Sequence, residues 1–74
     1  MKRFRFSVVV EHDADGYVAM CPELQGCYTQ GETYEETLAH IREAILLHIE
    51  DRLACGEEIP TAESVSLTSV EVAV

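Results

Sequence analysis

The sequence predicts an α+β domain in which three strands, one long helix and a fourth strand follow one another (β-β-β-α-β). Two observations favour this class. Apolar residues alternate with more polar ones near both ends of the chain, and between those ends they recur every three or four residues. The 74 residues form a single predicted domain, and a chain this short buries only about 60% of its unfolded surface. A disulfide, a metal or self-association is the usual additional stabilisation.

The opening strand has one apolar face, made by Phe4, Phe6, Val8 and Val10. The turn that follows runs from Asp13 to Gly16. Glycine adopts the positive φ angle that a tight hairpin requires, so we expect the chain to reverse here.

The next two strands are bounded by residues that interrupt a strand. The return strand runs from Tyr17 to Cys21 and ends because Pro22 has no amide hydrogen to donate. Gln25-Gly26 closes a loop, and the third strand runs from Cys27 to Gln30. Three consecutive strands with short connections form an antiparallel meander.

The helix is predicted from about Tyr34 to Cys55. Thr33 and Glu36 have the spacing of a capping box, and Gly56 is a typical carboxyl-terminal stop. The apolar stripe of the helix consists of Tyr34, Leu38, Ile41, Ile45 and Ile49. Leu47 falls on the opposite, polar face, where it could be a contact between subunits.

The last strand is predicted from Val65 to Val74. Val65 and Leu67 share one parity and Val70, Val72 and Val74 share the other, which indicates a bulge near residues 68–69 or burial on both faces. The single helix packs on one face of this sheet. Because the other face is left uncovered, we expect a homo-oligomer, a dimer or higher.

The net charge of −9 bears on the class of partner. Nucleic-acid binding needs an excess of lysine and arginine for phosphate contacts, so direct DNA binding is not expected. A basic protein partner suits this charge. Solubility alone explains the charge equally well.

No motif for catalysis, a metal or a cofactor stands out, and the chain is not predicted to be an enzyme. Asp13 and Asp15 lie in a turn, where local hydrogen bonding explains aspartate. The three cysteines and three histidines are too scattered for a zinc site. With neither a leader sequence nor an apolar run of about 20 residues, a cytoplasmic location with reduced thiols is expected.

Several segments carry a resemblance to one family. They are residues 6–11 (FSVVVE), 13–19 (DADGYVA), 21–27 (CPELQGC), 31–33 (GET) with Glu35-Glu36 and Ala44-Ile45 behind them, and 56–60 (GEEIP). Together they resemble the HicB-like antitoxins from end to end. The resemblance implies a partial RNase H-like fold with strand order 3-2-1-4, the last strand being parallel to the first.

The resemblance also implies a function, which is to bind a small basic HicA-type toxin that cleaves mRNA and to mask its active surface. Many such antitoxins continue into a carboxyl-terminal DNA-binding domain. Here residues 1–74 are expected to be one HicB-like domain without that addition. The alternative is an orphan oligomeric domain of unknown ligand with no toxin partner.

The predicted partner-binding residues are acidic residues at strand ends and in loops, because binding residues are often found in surface loops. They are Glu11, Asp13, Asp15, Glu23 and Glu32.

Overall fold

The computed structural model describes residues 3–60 and 64–74 of the chain. It has three strands and one helix: β1 (Val9–Asp13), β2 (Gly16–Met20), β3 (Tyr28–Gly31) and α1 (Tyr34–Ala54). The sheet has the order β1-β2-β3, and both pairings are antiparallel. The α+β class and the meander are therefore confirmed.

The β1–β2 turn has the predicted chemistry. Asp13 pairs with Gly16, and an Asp13 carboxylate oxygen accepts a hydrogen bond of 2.8 Å from the Asp15 amide. Gly16 has a φ of 128°, a conformation that other residues rarely adopt. A hairpin with a two-residue loop results.

The segment from Cys21 to Cys27 is a loop that lies in the core. The Cys21 amide donates to the Cys27 carbonyl at 3.0 Å, and the amides of Leu24 and Cys27 bond within the loop at 3.2 Å. Because the loop satisfies its own backbone groups, it can bury Leu24 to 1% exposure at little cost.

Helix α1 begins as the sequence predicts. The hydroxyl of Thr33 accepts a hydrogen bond of 3.1 Å from the Glu36 amide. The buried hydroxyl of Thr37 donates to the Thr33 carbonyl at 2.7 Å. Gly31 lies so close to this turn that a β-carbon at position 31 would collide with the Thr37 hydroxyl. The last residue of the sheet and the first turn of the helix therefore touch closely.

The core lies between the sheet and α1, which contacts β2 and β3. Its buried apolar residues are Ala19, Cys21, Leu24, Cys27 and Ile41, with Phe6, Val8, Val10, Ala44 and Ile45 packed at its margin. The opposite face of the sheet carries Val9, Val18, Met20 and Tyr28. No element in the described ranges covers that face, and Met20 and Tyr28 are 46% and 62% exposed.

Two sequence expectations, one for residues 4–8 and one for Leu38 in α1, differ from the structure. Residues 4–8 form no strand, because β2 ends at Met20, the partner of Val9, and offers them no further pairing. Leu38, predicted to be in the core, is 37% exposed. It faces a concavity beside Phe4, Phe6 and Val8 rather than a fourth strand.

The fourth strand is not shown. Residues 64–74 have no regular secondary structure and are all exposed. A strand needs a neighbour for its hydrogen bonds, and no strand of the described chain lies beside this segment. The strand order 3-2-1-4 and the RNase H-like likeness consequently stay predictions.

Candidate functional site

The β1–β2 turn and the β3–α1 junction lie together at one end of the sheet. They meet because Tyr17, the second residue of β2, pairs with Gly31, the last residue of β3. Between them is an open concavity of about 440 Å³. It is lined by Asp13, Asp15, Gly16, Tyr17, Val18, Gln30, Gly31, Glu32 and Glu36.

Four carboxylates surround this concavity, which we call the acidic end: Asp13, Asp15, Glu32 and Glu36. All four residues are exposed. Within the described residues none of them pairs with lysine or arginine, and Glu36 alone has a cationic candidate, His40 at 4.0 Å. The other ring nitrogen of His40 lies 2.9 Å from the Gln30 carbonyl, which links α1 to β3. The acidic end therefore presents unneutralised negative charge on a fixed backbone.

A row of three aromatic rings runs from β1 over β2 to the start of α1, beside the acidic end. The rings of His12 and Tyr17 are stacked, with centroids 4.1 Å apart and planes 8° apart. Tyr17 is in turn stacked on Tyr34 at 6.4 Å. Of the three rings, Tyr17 lines the concavity, and its ring is stacked on the other two.

Comparison with known proteins establishes the family. The model of the HicB-like antitoxin of bacterial toxin–antitoxin systems matches residues 6–72. The chain belongs to the HicB-like antitoxin family. This membership supports an antitoxin role in general and implies a toxin as the partner.

Relatives of the family span bacteria and archaea. A UPF0150 protein of Synechocystis sp. is 43% identical over 58 residues, 77% of this chain and 73% of that protein. A UPF0150 protein of Thermoplasma acidophilum is 40% identical over 65 residues, covering 86% and 94%. Antitoxin HicB 2 of Photorhabdus laumondii is 36% identical over 71 residues, covering 96% of this chain but 51% of the antitoxin.

In this HicB-like chain, two of the predicted partner-binding residues lie away from the acidic end. Glu23 accepts hydrogen bonds of 3.1 and 3.3 Å from the Ser7 amide, so its carboxylate holds the amino-terminal segment. Glu11 pairs with Val18 in the middle of the hairpin and lies on the uncovered face of the sheet. The structure thus brings together Asp13, Asp15 and Glu32.

Sequence reasoning assigned Glu36 to helix capping alone and overlooked its place at the acidic end. The signal was present, since Glu32 directly precedes the N-cap Thr33 and Glu36 lies in the first turn of α1, so both flank the same junction. Leu47, the predicted subunit contact, is 66% exposed, and its role between copies stays a prediction.

The three cysteines are free thiols in two environments. Cys21 and Cys27 are buried, whereas Cys55 is exposed. Burial raises the pKa of both inner thiols, and the nearby Glu23 carboxylate adds to the rise of the Cys21 pKa. The inner pair is consequently held in the less reactive, protonated form.

Two kinds of feature are absent from the described part of the chain. In residues 3–60 and 64–74, no group of three or more histidine, cysteine, aspartate or glutamate side chains is arranged to hold a metal ion. Within the same ranges, no helix has the length and apolar character needed to cross a membrane.

Proposed function

We propose that this HicB-like chain is a non-catalytic binding module that neutralises a small, basic, mRNA-cleaving toxin of the HicA type by covering its active surface. The observation that carries the proposal is the acidic end, four carboxylates around one concavity beside a row of aromatic rings. A surface that binds RNA phosphates is basic, and a carboxylate cluster is complementary to it.

The fixed backbone of the acidic end supports this assignment. The acidic end is built on a two-residue turn and a helix start, and in each of them a side-chain oxygen, that of Asp13 or of Thr33, accepts a hydrogen bond from a backbone amide. The backbone that carries the carboxylates is therefore held in place. A preorganised surface lowers the entropic cost of association. Negative charge also steers a basic partner and raises the association rate.

The alternative function is an oligomeric domain of unknown ligand that has no toxin partner. The uncovered apolar residues of the sheet, among them Met20 and Tyr28, favour self-association in either case. Oligomerisation is therefore part of both proposals, and only binding of a toxin distinguishes them.

The test uses charge reversal at the acidic end, with Asp15→Lys and Glu32→Lys combined. Asp13 is left unchanged because its carboxylate stabilises the turn. Against a HicA-type toxin encoded beside this chain, we expect the association rate at low salt to fall on the order of tenfold. We also expect its dependence on salt concentration to become flatter.

The matched control is Glu43→Lys combined with Asp51→Lys, which makes the same change in net charge at exposed positions of α1. If both pairs slow association equally, only the net charge matters and the acidic end is not the binding surface. If the unmodified chain neither binds the toxin nor rescues cells that express it, the orphan alternative replaces this proposal.

A further inference from the structure

The two inner cysteines lie opposite each other at the end of the β2–β3 ladder. Met20 pairs with Tyr28, and the next pair in the same register is Cys21 with Cys27. A hydrogen bond of 3.0 Å from the Cys21 amide to the Cys27 carbonyl extends the ladder by this step. The loop of residues 22–26 therefore joins two cysteines that are direct partners across the sheet.

Both cysteine side chains lie on the face of the sheet that α1 covers. Opposed residues of an antiparallel pair share one face, and Cys21 and Cys27 both belong to the buried core with Ile41. Their exposed fractions are 3% and 4%. The pKa of Cys21 is raised chiefly by burial, and Cys27 adds to the rise, as expected of two thiols that are close together.

The backbone spacing of the pair suits a disulfide. Opposed residues of an antiparallel ladder have α-carbons about 4.5–5.5 Å apart, and disulfides join α-carbons about 4.4–6.8 Å apart. The β-carbons of such a pair are about 4.5–5.5 Å apart, whereas those of a disulfide are about 3.5–4.5 Å apart. A bridge therefore needs the two strand ends to approach by about 1 Å. A bond formed with this strain is more easily reduced than a relaxed one.

The loop allows both this approach and the entry of a small reagent. Beyond the pair the ladder stops, and three backbone hydrogen bonds hold residues 21–27 together. Pro22 and Gly26, the immediate neighbours of the two cysteines inside the loop, are exposed. A local opening of a few residues is consequently enough to bring an oxidant to the sulfur atoms.

We propose that Cys21 and Cys27 are a reversible dithiol–disulfide pair, which is reduced in the resting protein and is closed by a small disulfide such as oxidised glutathione. The thiolate of one inner cysteine attacks a sulfur atom of the oxidant and releases one small thiol. The thiolate of the other then attacks the mixed disulfide and releases the second small thiol. The bond of the protein forms as the bond of the oxidant breaks, and the two electrons and two protons of the inner thiols pass to the released thiols.

The bridge acts on stability and leaves the acidic end unchanged. The acidic end lies where Tyr17 pairs with Gly31, and the cysteines lie at the other end of the same two strands. Closing a ring of seven residues, 21–27, removes conformational freedom from the unfolded chain and, in the chain-entropy model, lowers the unfolded fraction roughly fiftyfold. Strain offsets part of this gain, so we expect a fall of about fivefold to fiftyfold.

The first measurement maps the bridge in a Cys55→Ser chain, which has no exposed thiol. The folded chain is equilibrated with oxidised glutathione, its free thiols are blocked with N-ethylmaleimide in denaturant, and it is cut with a protease specific for glutamate. Cleavage after Glu23 places the two cysteines on separate peptides, residues 12–23 and 24–32. We expect mass spectrometry to find these peptides joined, two hydrogen atoms lighter than their sum, and separated by a reductant.

The matched control is Cys27→Ser, which also has two thiols, Cys21 and Cys55. It should form no bridge within the chain, because Cys55 lies beyond the far end of α1 from the first-turn contact with the sheet. Non-reducing gel electrophoresis distinguishes a bridge within one chain from one between chains. Circular dichroism checks that the control is folded.

The second measurement compares one chain with itself and so needs no folded variant. The bridged Cys55→Ser chain should unfold at a higher urea concentration than the same chain after reduction, with the unfolded fraction lower by the factor given above. Three results would overturn the proposal. They are separate peptides after oxidation of the folded chain, a bridge found only between chains, and a bridged chain that unfolds no later in urea than its reduced form.

Discussion

The two halves of helix α1 have contrasting surroundings. The amino-terminal half rests on β2 and β3, with Ile41 and Thr37 almost fully buried, and its first turn touches Gly31. The carboxyl-terminal half extends past the three strands and leaves Leu46 and Leu53 half exposed. Local hydrogen bonds and a three-stranded sheet are thus sufficient for the first half, whereas no element within residues 3–60 and 64–74 covers the second half.

The strongest test of this contrast is Ile41→Ala. Removing a fully buried side chain leaves a cavity, and we expect the free energy of unfolding to fall by about 2–5 kcal/mol. Leu47→Ala, on the exposed face of the same helix, should change it by about 0.5 kcal/mol or less. Thermal and urea unfolding would measure both. A large effect of Leu47→Ala would instead show that Leu47 is buried between copies, as the sequence predicts.

The next largest loss of stability is expected at the start of α1, where Gly31 and Thr37 lie in close contact. Gly31→Ala introduces a β-carbon into the Thr37 hydroxyl and within 3.0 Å of the Thr37 amide nitrogen. We expect a loss of about 1–3 kcal/mol, which is typical of overpacking. Gly26→Ala offers a comparison, because its β-carbon would meet nothing within 4 Å and only its φ of 76° is strained. If Gly31→Ala lowers the free energy of unfolding less than Gly26→Ala does, the first turn of α1 packs less tightly on Gly31 than described.

A smaller loss is expected from the helix cap. Thr33→Ala removes the oxygen that accepts from the Glu36 amide and should cost about 1 kcal/mol. Thr33→Ser retains that oxygen and serves as the control. Equal stability of the alanine and serine variants in urea unfolding would mean that the cap contributes nothing.

The smallest effect concerns the buried thiols. The pKa values of Cys21 and Cys27 are raised by burial, so the unfolded chain loses these protons first as the pH rises past about 8.5. The native state then binds more protons than the unfolded state, and stability should fall with increasing pH. Unfolding in urea at pH 7 to 10 measures this, with Cys27→Ala showing a weaker decline.

A chemical readout checks the same environment. Iodoacetamide at neutral pH should modify exposed Cys55 well before either inner thiol. Mass spectrometry after timed quenching gives the order of modification. Modification of Cys21 or Cys27 at the rate of Cys55 would contradict the burial of the inner pair.

The sequence predicted the elements whose signals are local. The turn at Asp13–Gly16 and the cap at Thr33 depend on hydrogen bonds between neighbours, and both are confirmed. Helix periodicity likewise places α1 within one residue of its observed end.

What the sequence did not reveal depends on contacts between distant segments. Nothing local in the sequence shows that the Glu23 carboxylate accepts a hydrogen bond from the Ser7 amide, 16 positions away. Leu38 has the right spacing for burial, but periodicity cannot say how wide the sheet beneath it is. The grouping of Asp13 with Glu32 likewise depends on strand register, which the pattern of each strand alone does not fix.

The loop between β2 and β3 should tolerate inserted residues poorly, which is unusual for a loop. Loops ordinarily accept added residues, because they lie on the surface. In this chain Cys21, Leu24 and Cys27 provide three of the five buried apolar residues in the described core. A single residue inserted between them would move Leu24 out of register with α1. The exposed Ala14-Asp15 turn contributes nothing to the core, so an insertion there would leave the core packing unchanged and would alter only the acidic end.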